Sequence, residues 1–586
     1  MYIKPSINLK NHNNKFYTGK HRSILLLLIM FQLVLLNYIS KNNVRHLNSY
    51  YSEINLVIEG SGTQNLLYNT FDYSPSEVFV NGIDLSTTCG KTCLLEDEKS
   101  NITLRFAEQF LTFGYMFKGL KNITEIEFSE FDSSGVKDMI YMFNECSSLK
   151  KVNFGNINTS SVTNMGFLFR NCSSLEWINF SNLDTSLVTN MNYMFLDCTS
   201  LTSINLTSFN TSNVQEMRTM FKNCEKLKSL DLSNFDFSNV KTMSNMFAGC
   251  KKLSNINFGN SSTPNLEDVT HLFSVCISLN SLDISNFDTS KIKFMGYMFN
   301  RCINLVSLNL TNFIFSNVET IHNIFYGCKA LKALEISNFN ISKVKDMSSM
   351  FNGCSSLEKL DLLSINTSSV ENVSSLFNGC EKLKEINLSN FDTSLVTNME
   401  KMFSNCDSLA SIVFPESFNT SQVEKMSYMF NNCRSLTSLD LTNFDITKVS
   451  EMEYMFNNCE KLQYLDVSNF YSENINSIKS LFNNCKSLIY LNLISFEING
   501  NTNTEQAFNL SSSIIKFCLN ETNIIANLLE AYNYSSDCSN ICFQENVKID
   551  LNNSQCICTD NAYITINNPN ICYNSTPEGY YFNNNE

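Results

Sequence analysis

Cysteine is the residue type in this chain best placed to do chemistry, with 22 copies in 586 residues. Fourteen of them form one column: Cys146, Cys172, Cys198, Cys224, Cys250, Cys276, Cys302, Cys328, Cys354, Cys380, Cys406, Cys433, Cys459 and Cys485. They stand 26 residues apart except for one step of 27, from Cys406 to Cys433. Thiols at a fixed period invite a redox or disulfide reading. If each period is one coil of a stack, equivalent Cα atoms lie about 5 Å apart. That is within disulfide reach, but stacked equivalents hold their Cβ atoms parallel and not toward each other. The column is therefore expected to hold free, buried thiols acting as small hydrophobes. Leu120 occupies the same place in the first, atypical copy, which points to an apolar requirement. The other eight are read differently. Cys89 and Cys93, in CGKTC, and Cys518, Cys538, Cys542, Cys556, Cys558 and Cys572, in an Asn-rich tail poor in apolar residues, are disulfide candidates. The tail spacings C-x3-C and C-x-C fit a zinc site poorly. GKT is not a phosphate loop, because Leu85 stands where the leading Gly would be.

Catalysis needs an acid, base or nucleophile converging on one point. The five histidines are His12, His21, His46, His271 and His322, and three of them precede the expected folded region. None has a Cys or Asp signature beside it. A non-enzyme is expected, without cofactor or metal.

The polar ladder is the stronger functional candidate. The middle residue of each L-x-L triplet is expected to point out of a sheet in every coil. The column reads Asn153, Asn179, Asn205, Asp231, Asn257, Asp283, Asn309, Glu335, Asp361, Asn387, Val413, Asp440, Asp466 and Asn492. Of these, Asn205, Asp231, Asn257, Asp283, Asn309, Glu335, Asp361, Asn387, Asp440 and Asp466 are taken as candidate partner-binding residues. A ladder of amides and carboxylates suits a protein or glycan partner, or could bridge cations; the plain alternative is a solvated face that keeps the sheet soluble. Asn179, Asn205, Asn309 and Asn387 also sit in Asn-x-Ser/Thr triplets, and sugars there would obstruct the surface. Further glycosylation candidates are Asn122, Asn158, Asn210, Asn366, Asn419 and Asn520. A second acidic column, Asp236, Asp288, Asp392 and Asp445 of the SNFD-like phrases, is assigned to local turn hydrogen bonds.

These columns require a repeating scaffold. The frame C-x-x-L-x-x-L-x-L-x-x-F-x-x-S-x-V-x-x-M-x-x-M-F-x-x, as in Cys224 to Gly249, recurs with the cysteines, and such a period is the mark of a solenoid. Leu227, Leu230 and Leu232 alternate with polar residues, which predicts a short strand. Val240, Met243, Met246 and Phe247 are spaced three, three and one, which predicts a short helix. Pairs such as Ser212 with Gln215, Ser316 with Glu319 and Ser421 with Glu424 read as its capping boxes. The expected fold is an α/β solenoid, with a parallel sheet on the concave face and short helices on the convex face. A helix layer thicker than the strand layer would give it that curve. Four segments are expected: 1–39, a basic N-terminus with an apolar run at Ile24–Ile39 that reads as a signal peptide or signal anchor; 40–105, a β-rich cap; 106–500, about 15 coils; and 501–586, a C-terminal cap with a disulfide-stapled Cys-rich region. Residues 51–586 carry 35 basic and 56 acidic side chains. That balance disfavours nucleic acid and anionic lipid as partners.

The frame C-x-x-L-x-x-L-x-L closing in M-F-x-x-C, with the phrase SNFDTS at Ser285 and Ser389, resembles the BspA-like (Treponema-type) leucine-rich repeats in their 26-residue variety. The resemblance spans about residues 110–496. It implies an exported or surface-displayed solenoid acting in adhesion or recognition of proteins or glycans, secreted or held by its N-terminal segment with the N-terminus in the cytosol. A structural coat component without a specific ligand is the second reading. The first Cys being Cys89, attachment through a lipidated Cys just after the leader is not expected.

Overall fold

The computed structural model describes residues 52–510, except Glu130, Asp132, Glu335, Ser337, Asn338 and Ser364, and short segments beyond 510. The expected leader or anchor at Ile24–Ile39, and Asn520, Cys538 and Cys542, lie outside the described residues. No helix among the described residues is long and apolar enough to cross a membrane.

The chain enters the solenoid through an antiparallel cap. Its strands are β1 (Ser52–Glu59), β2 (Gly62–Asn65), β3 (Glu77–Val80), β4 (Ile83–Asp84), β5 (Thr92–Leu95) and β6 (Lys99–Phe106). Alternation sets the faces: Ile54, Leu56 and Ile58 of β1 are buried, as are Ile102, Leu104 and Phe106 of β6. The first coils supply β7 (Ile123–Phe128), β8 (Lys151–Asn153) and β9 (Trp177–Asn179). Cap and coils share one seven-stranded sheet in the order β4-β3-β6-β1-β7-β8-β9. Strand β1 is antiparallel to both β6 and β7, and from β7 onward the pairing is parallel. The switch at β1 lets the cap cover the edge that the first coil would otherwise expose. Cys89 and Cys93 are disulfide-bonded beside the β2–β5 ribbon.

Each later coil repeats one design. In β10 (Ser229–Asp231) the pattern is exposed, buried, exposed, and the strand pairs in parallel with β11 (Asn255–Asn257), Leu230 against Ile256. Leu227, Leu232, Val240, Met243, Met246, Phe247 and Cys250 are all fully buried. The Phe of each M-F pair stacks on its equivalent in the next coil, with ring centroids 4.9 Å apart for Phe143–Phe169 and 5.9 Å for Phe351–Phe377. An offset aromatic spine of this kind adds geometric specificity to the area buried. In the 27-residue coil, the extra residue enlarges the loop at Pro415, where Phe418 N–H reaches the Pro415 carbonyl. The bridge Asn398↔Lys425 restores the register.

The expected helices on the second half of each coil are not there. Among the described residues, fourteen consecutive parallel bridges, from Asp138↔Asn164 to Ser477↔Asn503, hold a second ladder instead. Between Met243 and Cys250, alternate N–H groups go to different partners. Those of Met246, Ala248 and Cys250 close turns onto carbonyls three residues back, while those of Met243, Asn245, Phe247 and Gly249 reach the next coil. Asn245 and Gly249 have positive φ, 58° and 76°, which no α-helix accommodates. The spacing of three, three and one therefore describes a run of linked turns whose inward residues coincide with a helical face. The capping boxes fall with the helices: Ser212 N–H is held by Asn210 Oδ1 at 3.1 Å, and Gln215 N–H by the Thr189 carbonyl at 3.0 Å. Without a helix layer thicker than the strand layer among the described residues, the expected cause of the curve is missing, and the exposed sheet is defined by its strands alone. The chain is a β-solenoid of about 14 turns with parallel strands.

Candidate recognition surface on the strand face

Most coils show solvent two outward positions, flanking one inward residue. The first is the column expected from the L-x-L triplets. Asn205, Asp231, Asn257, Asp283, Asn309, Asp361, Asn387 and Asp440 are exposed and Asp466 is partly so. Glu335 lies outside the described residues. These side chains also have a local duty. In each, Oδ1 accepts the N–H two residues on: 3.1 Å for Asn205 with Thr207, 3.0 Å for Asp231 with Ser233, Asn257 with Gly259, Asp283 with Ser285, Asn309 with Thr311 and Asp440 with Thr442. The same bond is 2.9 Å for Asp361 with Leu363 and Asn387 with Ser389, and 2.8 Å for Asp466 with Ser468. These Asx turns end the strands. The Ser233 side chain, with its N–H, holds the Asp231 carboxyl below its ordinary value, and Ser285 does the same for Asp283. Along the column, amides also link coils: Asn257 donates to Asp231 Oδ1 at 3.0 Å and Asn492 to Asp466 Oδ2 at 3.1 Å. One oxygen per residue is committed to the turn, and what remains faces solvent.

The second outward column, two residues earlier in each strand, was not singled out from the sequence. It holds Lys151, Trp177, Ser203, Ser229, Asn255, Ser281, Ser307, Lys359 and Glu385, all exposed. The signal was available, since residues two apart on a strand share a face. Trp177, the sole Trp of the chain, is 49% exposed in β9. It lines two hollows. One, of about 460 Å³, is floored by cap and first coils, with Asn55, Thr103, Glu127, Lys151 and Asn153 on its walls. The other, of about 300 Å³, is lined by Asn179, Ser181, Asn205 and Thr207. Lys151 pairs with Glu125 at 3.3 Å, and Asn179 donates to Asn153, which donates to Glu127, each at 3.0 Å. A third hollow, of about 540 Å³, is lined by Leu363, Ile386 and Val413 among polar residues.

The remaining candidates separate by location. All fourteen column cysteines are free and buried. Cys518 is disulfide-bonded as well; Cys556, Cys558 and Cys572 fall in strands whose side chains are not described. Asn158, Asn210, Asn366 and Asn419 are exposed at equivalent places in their coils, each accepting the N–H two residues on. Asn122 donates to Gln64 at 2.7 Å. The second acidic column does what its turn assignment requires: Asp236, Asp288, Asp392 and Asp445 accept N–H bonds of 2.8, 3.0, 2.9 and 2.9 Å from the residue two on. His271 and His322 both pack on Tyr297, with ring centroids 4.4 and 5.0 Å away, and burial pulls the His271 pKa down. Among the described residues no group of three or more His, Cys, Asp or Glu could hold a metal ion.

Comparison with known proteins places this architecture. The chain is similar to a leucine rich cell surface protein from Faecalibacterium prausnitzii at 18% identity, covering 67% of this chain and 89% of that one with a TM-score of 0.34. It is also similar to a leucine rich repeat protein of T. pallidum at 24% identity, covering 29% and 72% with a TM-score of 0.23. A leucine-rich repeat protein from Eubacterium ventriosum matches at 19% identity, covering 57% and 82% with a TM-score of 0.26. No curated protein matches the chain. The sequence model of the family described as "Mycoplasma protein of unknown function, DUF285" matches residues 111–230, 148–255, 228–334, 301–415 and 410–517. The matches cover most of the chain and every complete coil, and the chain belongs to the DUF285 family.

Proposed function

We propose that the protein is an exported, non-catalytic recognition or adhesion module that binds a protein or glycan partner on its strand face. The observation that carries this reading is the pair of outward columns. The core is held by the inward residue of each coil, so side chains such as Ser229 and Ser281, exposed beside the buried Leu230 and the partly buried Leu282, vary without touching it. A repeated stack thereby presents a long, register-locked surface whose chemistry is set coil by coil. The Cys89–Cys93 disulfide agrees with an oxidising compartment. The resemblance to BspA-like repeats favours surface display, by secretion or through the N-terminal apolar segment.

The test has two parts. Protease accessibility on intact cells, with N-terminal sequencing of the mature chain, reads export and leader cleavage. Binding of the purified chain to arrays of matrix proteins and oligosaccharides reads recognition. The pair Ser229→Arg with Ser281→Arg is expected to weaken strand-face binding at least tenfold while melting is unchanged. Binding indifferent to arginines there, and to equivalent pairs along the stack, would move the site off the strand face and overturn the proposal.

A further inference from the structure

Among the hollows described above, the two beside Trp177 combine an exposed aromatic plate with converging polar groups. The charges around it are mostly spent. Lys151 is paired with Glu125 at 3.3 Å, and Arg105 is paired with Glu53 at 2.9 Å and Glu77 at 3.3 Å. Glu127 accepts a hydrogen bond from the Asn153 amide at 3.0 Å. Over a floor that includes Leu56, Ile102, Ile126 and Ile178, amides and hydroxyls supply the uncharged polar groups: Asn55 and Thr103, bonded to each other at 2.7 Å, on one side, and Asn179, Ser181, Asn205 and Thr207 on the other. Bonds between coils fix these groups in orientation. Asn179 donates to Asn153 and Asn153 to Glu127, a chain directed along the solenoid axis.

We propose that Trp177 and the two hollows it divides form a binding site for an uncharged glycan chain lying along the solenoid axis. This rests on the strand-face reading above and names the partner. A pyranose ring has an apolar C–H face, which stacks on an indole, and a rim of hydroxyls that both donate and accept, as amides and a carboxylate require. A chain of such rings advances by about one coil spacing per sugar, so consecutive sugars meet equivalent positions of consecutive coils. Charge argues against the alternatives. An anionic polysaccharide would face Glu127, with Lys151 already paired to Glu125, on a chain of acidic balance over residues 51–586. A protein hot spot would need the Trp enclosed by apolar neighbours that exclude water, whereas Asn55, Thr103, Asn153, Asn179, Asn205 and Thr207 bring polar groups to both of its flanks.

Because Trp177 is the sole Trp, its emission reports this site alone. The experiment titrates the full chain with neutral gluco-, manno- and galacto-oligosaccharides, beside sialylated and sulfated ones, and follows tryptophan fluorescence. The expected result is a saturable emission change with at least one neutral oligosaccharide. Affinity measured calorimetrically should fall at least tenfold in Trp177→Ala and be largely kept in Trp177→Tyr, with melting unaltered in the tyrosine variant. Three results would overturn the proposal: no neutral oligosaccharide binding, preference for the sulfated or sialylated probes, or neutral binding that leaves the emission and the Trp177→Ala affinity unchanged. A protein ligand blocked by Ser229→Arg with Ser281→Arg, without glycan binding, would overturn the glycan assignment and leave strand-face recognition standing.

Discussion

The Cys146 thiol donates a hydrogen bond of 2.9 Å to the main-chain carbonyl of Phe117, in the coil before it. The contact recurs down the column to Cys485 with Phe456 at 3.1 Å. The cysteines are thus more than small hydrophobes, because each tethers its coil to the last through a carbonyl that already closes a turn. Leu120 now has a reason. It belongs to the first coil, which has no preceding M-F carbonyl to reach, and an apolar side chain suffices there.

Replacing one mid-stack thiol should separate packing from tethering. Cys302→Ala removes both the sulfur and its 3.1 Å bond to the Phe273 carbonyl, and should cost about 1–2 kcal/mol in urea unfolding. Cys302→Ser keeps a donor at the same place and should lose less than Cys302→Ala. A serine variant as unstable as the alanine would assign the column to packing alone.

The same burial silences the thiols chemically. It pushes Cys146, Cys250, Cys302, Cys354 and Cys485 up to about 12, so the reactive thiolate is absent at neutral pH. Iodoacetamide at pH 8 should leave the fourteen column cysteines unmodified in the native chain and label all of them in denaturant, as read by intact mass. Labelling of a subset under native conditions would mark coils that open locally.

The period, the strands and the inward residues were legible because burial imposes them on every coil: Leu230 and Phe247 must be apolar wherever they recur. The second half of the coil was misread because one-dimensional spacing does not distinguish a helical face from linked turns. The correcting signal sat one column away. The residue before each column Cys, or before Leu120 in the first coil, is Gly119, Asn171, Asp197, Asn223, Gly249, Gly327, Gly353, Gly379, Asn405, Asn432, Asn458 or Asn484, types that tolerate φ above zero, in all copies but Glu145, Val275 and Arg301. On the strand face, attention to the regular Asn/Asp column hid Trp177, because a residue that interrupts a pattern is averaged out of a consensus. Regularity marked the turns, and the irregular position marks the proposed site.

Val275 is the β-branched exception in that left-handed column, at φ 62° where its neighbour has Gly249. Such strain is of the order of 1–2 kcal/mol. Val275→Asn should therefore stabilise the chain, by about 1 kcal/mol in urea unfolding. The reverse change, Gly249→Val, should destabilise it by more than about 2 kcal/mol, because the new Cβ would run into Asn223 Oδ1 as well as straining the backbone. A neutral Val275→Asn would mean that the solenoid relaxes around the valine.

Acid should loosen the solenoid through its Asx turns. The carboxyls of Asp184, Asp231, Asp283 and Asp288 are held below 3.8 by the side chains and N–H groups of Ser186, Ser233, Ser285 and Ser290. A group with a depressed folded pKa binds its proton more weakly folded than unfolded. Its contribution is therefore present above the unfolded value and is lost as pH falls through the folded one. The urea midpoint should stay level from pH 7 to about 5 and drop as pH falls below about 4. Changing the four to Asn keeps the Oδ1 acceptor that Asn205 uses with Thr207 in the column of Asp231 and Asp283, and Asn210 with Ser212 in that of Asp184 and Asp288, each at 3.1 Å, and removes the titration. The fourfold variant should match the parent near neutral pH and show a shallower acid decline. An unchanged decline would place the acid-sensitive bonds elsewhere, at ion pairs such as Lys293 with Glu267, 2.9 Å apart.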